Sequence, residues 1–204
     1  MLTAVEKANR KAIRRAATIE RNERKKKEKE EEQKRVERKV NRNRPKVRKI
    51  MRSMYQNHLE ARKIEIENIL QPGLLKEFRI SEALNHDFVV TKRGADARGK
   101  NGENYEYLCC TSAKGATAQF DRMYKDTEEN LARSLKRINR NDAIFIVIFY
   151  KEDQYKIKVI YEIDPPVMEK AAIKKIKKCK SKETAHIGFS EKWASKNGTI
   201  VYEG

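Results

Sequence analysis

Cysteine, proline, glycine and tryptophan are all scarce in this 204-residue chain, at three, four, eight and one. Two of the cysteines, Cys109 and Cys110, are neighbours, so the chain can build neither a disulfide framework nor a Cys-x-x-Cys zinc site. A reducing, intracellular setting is expected. No run of 18 apolar residues occurs, so no transmembrane helix is available, and a membrane partner is not expected. The opening residues lack the basic-then-apolar pattern of a signal peptide, so secretion is not expected. The histidines His58, His86 and His186 stand far apart, and HNH, zinc-finger and GxxxxGK spacings are missing.

What is present in excess is positive charge. Lys and Arg number 48 against 30 Asp and Glu, a net charge of +18. The sign points to polyanionic partners, nucleic acid above all. Residues 1–50 carry 20 basic and 8 acidic side chains, no aromatic residue and no glycine. Such a segment buries too little apolar surface to offset its ordering entropy. Its Ala, Glu, Lys, Arg and Gln nevertheless favour helix. Residues 1–45 therefore read as a basic helical or disordered extension, and 46–204 as an α/β domain. The extension reads as a solvated charged helix or an arm on nucleic-acid phosphates; a basic amphipathic membrane helix is the weakest alternative, since Trp, Phe and Leu are missing from any apolar face.

Apolar residues recur at a helical period from Lys46 to Leu70, and Gln71-Pro72-Gly73 ends that pattern. Leu74, Leu75 and Phe78 suggest a second helix to about Asn85. Phe88–Thr91 reads as a strand, Asn101-Gly102 as a hairpin turn, and Tyr105–Thr111 as the returning strand. Gln119–Tyr124 suggests a turn of helix. Asp126 with Glu129 is a capping signal for a helix that aligns Arg133, Arg137 and Arg140 on one stripe. Ala143–Tyr150 is apolar throughout, as in a strand covered on both faces. Tyr155–Tyr161 alternates, as in a strand with one wet face; Pro165-Pro166 ends it, and Val167–Lys180 reads as a basic helix. The order predicts an α/β or α+β fold with a small mixed sheet flanked by helices.

Asp96 and Glu106 flank the hairpin turn. Neighbouring antiparallel strands run ~4.8 Å apart, so carboxylates on facing strands can converge on one hard cation. Glu82 and Asp87 lie upstream as possible further carboxylates. Gln119 and Arg122 could approach the same place. The arginine stripe could grip phosphates, or be a solvated helix face. Cys109 and Cys110 are expected to pack in the sheet.

Gly94-Ala95-Asp96, a turn, Tyr105-Glu106-Tyr107 on a strand, then a helix and a buried strand resemble the PD-(D/E)xK nuclease superfamily, closest to small type II restriction endonucleases. The resemblance covers about residues 74–164. It implies a restriction-endonuclease-like fold, Mg²⁺ held by Asp96 and Glu106, hydrolysis of double-stranded DNA and a possible homodimer. It also implies a lysine two residues after Glu106, where this chain has Leu108. Lys114 is the preferred substitute, with Lys92 and Lys100 as alternatives. Lys92, Arg93, Arg122, Arg133, Arg137 and Arg140 are the candidate DNA contacts. The competing expectation is a non-catalytic nucleic-acid-binding or packaging protein whose function is the basic arm. A scaffold or ribosome-associated RNA-binding factor is a third.

Overall fold

A computed structural model of the chain describes residues 4–71, 73–90 and 94–204, with backbone alone at 4–14, 16 and 121. The chain divides into two units, residues 1–65 and 66–204.

The first unit is two helices, α1 (Ala4–Arg42) and α2 (Arg44–Lys63). Exposed pairs such as Arg24–Glu28 and Arg35–Glu32 lie along α1 at helical spacing, each adding a few tenths of a kcal/mol to the helix. Pro45 opens α2, where a missing N–H costs nothing. Periodicity carried this helix to Leu70. It stops at Lys63 instead, and Glu65 then takes a left-handed φ of 65°, which helix cannot accommodate.

The second unit is mixed α and β. In chain order it comprises α3 (Leu74–Leu84), β1 (Asp87–Phe88), β2 (Ala97–Arg98), β3 (Asn104–Thr111), β4 (Ala118–Tyr124), α4 (Glu128–Asn139), β5 (Ala143–Phe149), β6 (Ile157–Ile163), α5 (Pro165–Lys178), β7 (Thr184–Phe189), α6 (Glu191–Asn197) and β8 (Thr199–Glu203). Six strands form one sheet in the order β1-β2-β3-β5-β6-β8, and β4 with β7 forms a separate pair. Among the described residues of the main sheet, only β3 and β5 run parallel. Parallel neighbours need a crossover, here β4 and α4.

The central strand β5 is buried along its whole length, as its apolar run requires. Its alternate residues serve two cores. Ile144, Ile146 and Ile148 join Leu108, Ile138 of α4, Met168 of α5 and Phe120 of β4. Phe145, Val147 and Phe149 join Tyr107 and Ile80 of α3 on the opposite face. The sheet thus lies between α3 on one side and α4, α5 and the β4–β7 pair on the other.

Four local expectations change. Gln119–Tyr124 is strand β4, because pairing with β7 outweighs its helical spacing. The strand expected at Phe88–Thr91 is only Asp87–Phe88, with Val90 exposed and Thr91 outside the described residues. Strand β6 is not wet along one face, since Val159, Tyr161 and Ile163 pack in one core and Ile157 and Ile160 in the other. The N-cap of α4 is Thr127, whose hydroxyl accepts from the Asn130 N–H, while Asp126 holds the Asn130 side chain. Pro165-Pro166 ends β6 by opening α5.

Candidate functional site

Asp96 stands one residue ahead of β2 and is fastened to β3 at two points. Its N–H donates to the Tyr105 carbonyl at 2.8 Å, and its Oδ2 accepts from the Tyr107 N–H at 2.7 Å. Those two residues flank Glu106. The carboxylate of Asp96 is therefore held at the rim of the strand that carries Glu106, through the backbone on both sides of that residue.

Glu106 shares the face of β3 that carries Leu108, opposite Ile144 of the parallel partner β5. Its side chain is only 12% exposed. Burial, then repulsion from the Asp96 carboxylate, raise its pKa from the usual carboxylate range to about 7, against the pull of the Arg140 and Arg137 guanidiniums. Arg140 donates through Nη2 to the Gly94 carbonyl and lies 3.3 Å from Glu106 Oε2. It thereby ties the loop ahead of Asp96 to the strand of Glu106.

The topology explains that meeting. Helix α4 runs directly into β5, whose first residue Ala143 pairs with Tyr105. Asp142 clasps the start of β3, accepting from the Asn104 N–H and donating to the Asn104 carbonyl, both at 2.8 Å. The last turn of α4 must therefore end beside Glu106. The arginine stripe consequently splits. Arg137 and Arg140 act on Glu106, whereas Arg133 pairs with Glu129 of its own helix at 2.9 Å.

The remaining candidates are dispersed. Lys114 is exposed in the loop after β3, in a cleft it lines with Tyr161, Ser190 and Glu191. Thr111, where β3 ends, is already ~16 Å from Glu106 at ~3.3 Å per strand residue. The cation on Glu106 is Arg140 and not Lys114. Leu108, in the position where the resemblance asks for lysine, is 5% exposed in the core. Glu82 pairs with Arg79 at 2.7 Å on the outer side of α3. Asp87 is exposed on β1 across from Arg98. Arg122 is exposed in a bulge of β4 with φ 50°, and Gln119 bonds the Thr117 hydroxyl. Lys92 and Arg93 lie outside the described residues. Among the described residues, no three or more His, Cys, Asp or Glu side chains gather as a cation site, so Asp96 and Glu106 stand as a pair.

The reverse face of β3 is structural. His86 Nδ1 shares a 2.8 Å hydrogen bond with the Tyr107 hydroxyl, and its ring packs on Tyr105 and Phe145. Burial pushes the Cys109 thiol on this face up to about 12, and the Cys110 thiol on the Glu106–Leu108 face up to about 11, so neither is a thiolate nucleophile at neutral pH. Sequence reasoning missed both the His86 joint and the Arg140 contact. Only the second had a legible signal, the short Asn141-Asp142 link between α4 and β5. No family model matches the chain, and no curated protein matches it either.

Proposed function

We propose that the 66–204 unit is a Mg²⁺-dependent DNA endonuclease of the PD-(D/E)xK type, with a restriction-endonuclease-like site on the Asp96–Glu106 hairpin. The observation that carries this reading is the fastening of Asp96 to both neighbours of Glu106. The order of hairpin, helix and buried strand around the two acids supports it further. The donor set fits the cation: Mg²⁺ is commonly held by one or two carboxylates, with waters and substrate phosphate completing its shell. A bound Mg²⁺ would supply charge neutralisation at the scissile phosphate and a more acidic water. Asp96 and Glu106 would hold it. A cation held there would favour the ionised form of Glu106, against the burial that raises its pKa to about 7. Arg140 would carry the positive charge that Leu108 cannot, and would hold the Gly94 loop in place. Titration calorimetry with Mn²⁺ tests the metal site. Wild type should bind, and Asp96→Asn and Glu106→Gln should each weaken affinity at least tenfold; equal binding by all three would remove the site.

A second reading, a nucleic-acid-binding protein without catalysis, is favoured by one observation. Leu108 is packed in the core on the same face as Glu106, in the place of the catalytic lysine. In that reading the basic first unit supplies the function.

A further inference from the structure

Charge within the 66–204 unit is as uneven as in the whole chain. The unit carries 25 basic and 20 acidic side chains, a net of +5. Residues 170–182 alone hold seven lysines and no acid, so the rest of the unit is at −2. Helix α5 and the segment after it therefore carry the entire positive excess. Lys175 is committed, its ammonium 5.2 Å from the Phe189 ring centre. The other six, Lys170, Lys174, Lys177, Lys178, Lys180 and Lys182, are exposed, and none is in an ion pair among the described residues. The carbonyl end of α5 does not require them. Lys125 reaches across and donates to the carbonyls of Ile176 and Cys179 at 3.2 and 2.8 Å.

We infer that this lysine ridge is a second phosphate-docking surface, fitted to the backbone of a nucleic-acid duplex and separate from the Asp96–Glu106 site. Lys170 to Lys178 spans ~12 Å at 1.5 Å per helical residue, and the four residues on to Lys182, where the chain bends, add at most ~12 Å. At one phosphate per 3.4 Å of axis on each strand, that length runs alongside at most about seven phosphates. An acidic membrane surface would also attract lysines. A membrane-bound helix, however, inserts large apolar side chains, and among the described residues from 165 to 190 none is exposed. The ridge is also offset from the hairpin. Arg140 ends α4 at Glu106, while Lys125, just before α4, holds the lysine end of α5. The 12-residue helix separates the two by ~18 Å. A duplex lying across both would be gripped away from the reacting phosphate, which gives affinity without base readout.

The inference rests on the reading of nucleic acid as partner, but not on cleavage. The test uses the full chain with Lys174, Lys177, Lys178, Lys180 and Lys182 changed to Gln, and a fluorescent 30-base-pair duplex. Affinity is measured from about 50 to 200 mM salt, without divalent ions. The slope of log affinity on log salt should shrink by ~3–4, at ~0.9 for each phosphate no longer neutralised, and affinity at low salt should fall at least tenfold. Urea midpoints of wild type and variant should coincide, since all five side chains are exposed. An unchanged slope overturns the inference. So does an unchanged duplex affinity with loss of binding to phosphatidylserine vesicles, which would make the ridge a lipid surface. A changed slope in a chain that never cleaves DNA leaves the ridge standing and removes the nuclease reading alone.

Discussion

Arg140 and Glu106, 34 residues apart in sequence, meet at 3.3 Å where the last turn of α4 faces the start of β3. The contact joins three pieces of backbone, since the same guanidinium holds the Gly94 carbonyl. Glu106 is far more deeply buried than Arg140, so the two charges do not balance. Desolvation of Glu106 and its Asp96 neighbour outweigh the arginine, and the Glu106 carboxyl rises to about 7.

That imbalance has a pH signature. A carboxyl whose folded pKa is raised from 4.5 to about 7 stabilises the protonated fold at low pH, and the contribution disappears as pH climbs to 7. The loss is about 3 kcal/mol, at 1.36 kcal/mol per pKa unit. Glu106→Gln should match wild type in urea denaturation at pH 4.5 and exceed it by about 3 kcal/mol at pH 8, with EDTA present. The half-buried His86 has a lowered pKa and gives the opposite slope, but equally in both proteins, so the difference isolates Glu106. Parallel pH profiles would show that Glu106 is not in a desolvated site.

Leu108→Lys puts the lysine of the PD-(D/E)xK pattern two residues from Glu106, on the same face of β3. Burying an ammonium at a site 5% exposed should cost ~2–4 kcal/mol, read as a lower urea midpoint. The folded variant should cleave plasmid at least ~10-fold faster than wild type. A folded variant with no gain in rate would mean that the position is not near the reacting phosphate.

Deleting residues 1–65 removes one compact unit and leaves the two cores of the other. The remaining chain should keep its near-UV circular dichroism and cooperative unfolding. Its affinity for duplex DNA should fall, and its salt slope should shrink by ~0.9 for each phosphate that the first unit neutralises. A slope equal to that of the full chain would show that the first unit does not touch nucleic acid.

The strands and helices that legible patterns announced were those set by local chemistry. The apolar run at Ala143–Tyr150 could only be a strand buried on both faces, and Asn101-Gly102, with φ 92° at the glycine, could only be a tight turn. Strand β4 was not legible, because its pairing with β7 joins residues 60 or more apart and leaves no local period. Asp96 and Glu106 could be singled out because a hairpin fixes which residues face each other. Lys114 was not a sound substitute for the missing lysine. Continued alternation puts it on the right face but ignores the distance already travelled along β3. Arg140 reaches Glu106 through a parallel strand pairing, a relationship that no periodicity within one segment encodes.

Whether Asp96 and Glu106 together support phosphodiester hydrolysis is tested most directly with supercoiled plasmid. It is incubated with the full chain in Mg²⁺ or EDTA, beside Asp96→Asn and Glu106→Gln at equal concentration. Conversion to open-circular and linear DNA should require Mg²⁺, and each substitution should slow it at least ~10²-fold while DNA binding is retained. Intact plasmid with wild type and Mg²⁺ across a range of duplex sequences, or cleavage that both variants retain, would contradict a nuclease site at these two carboxylates.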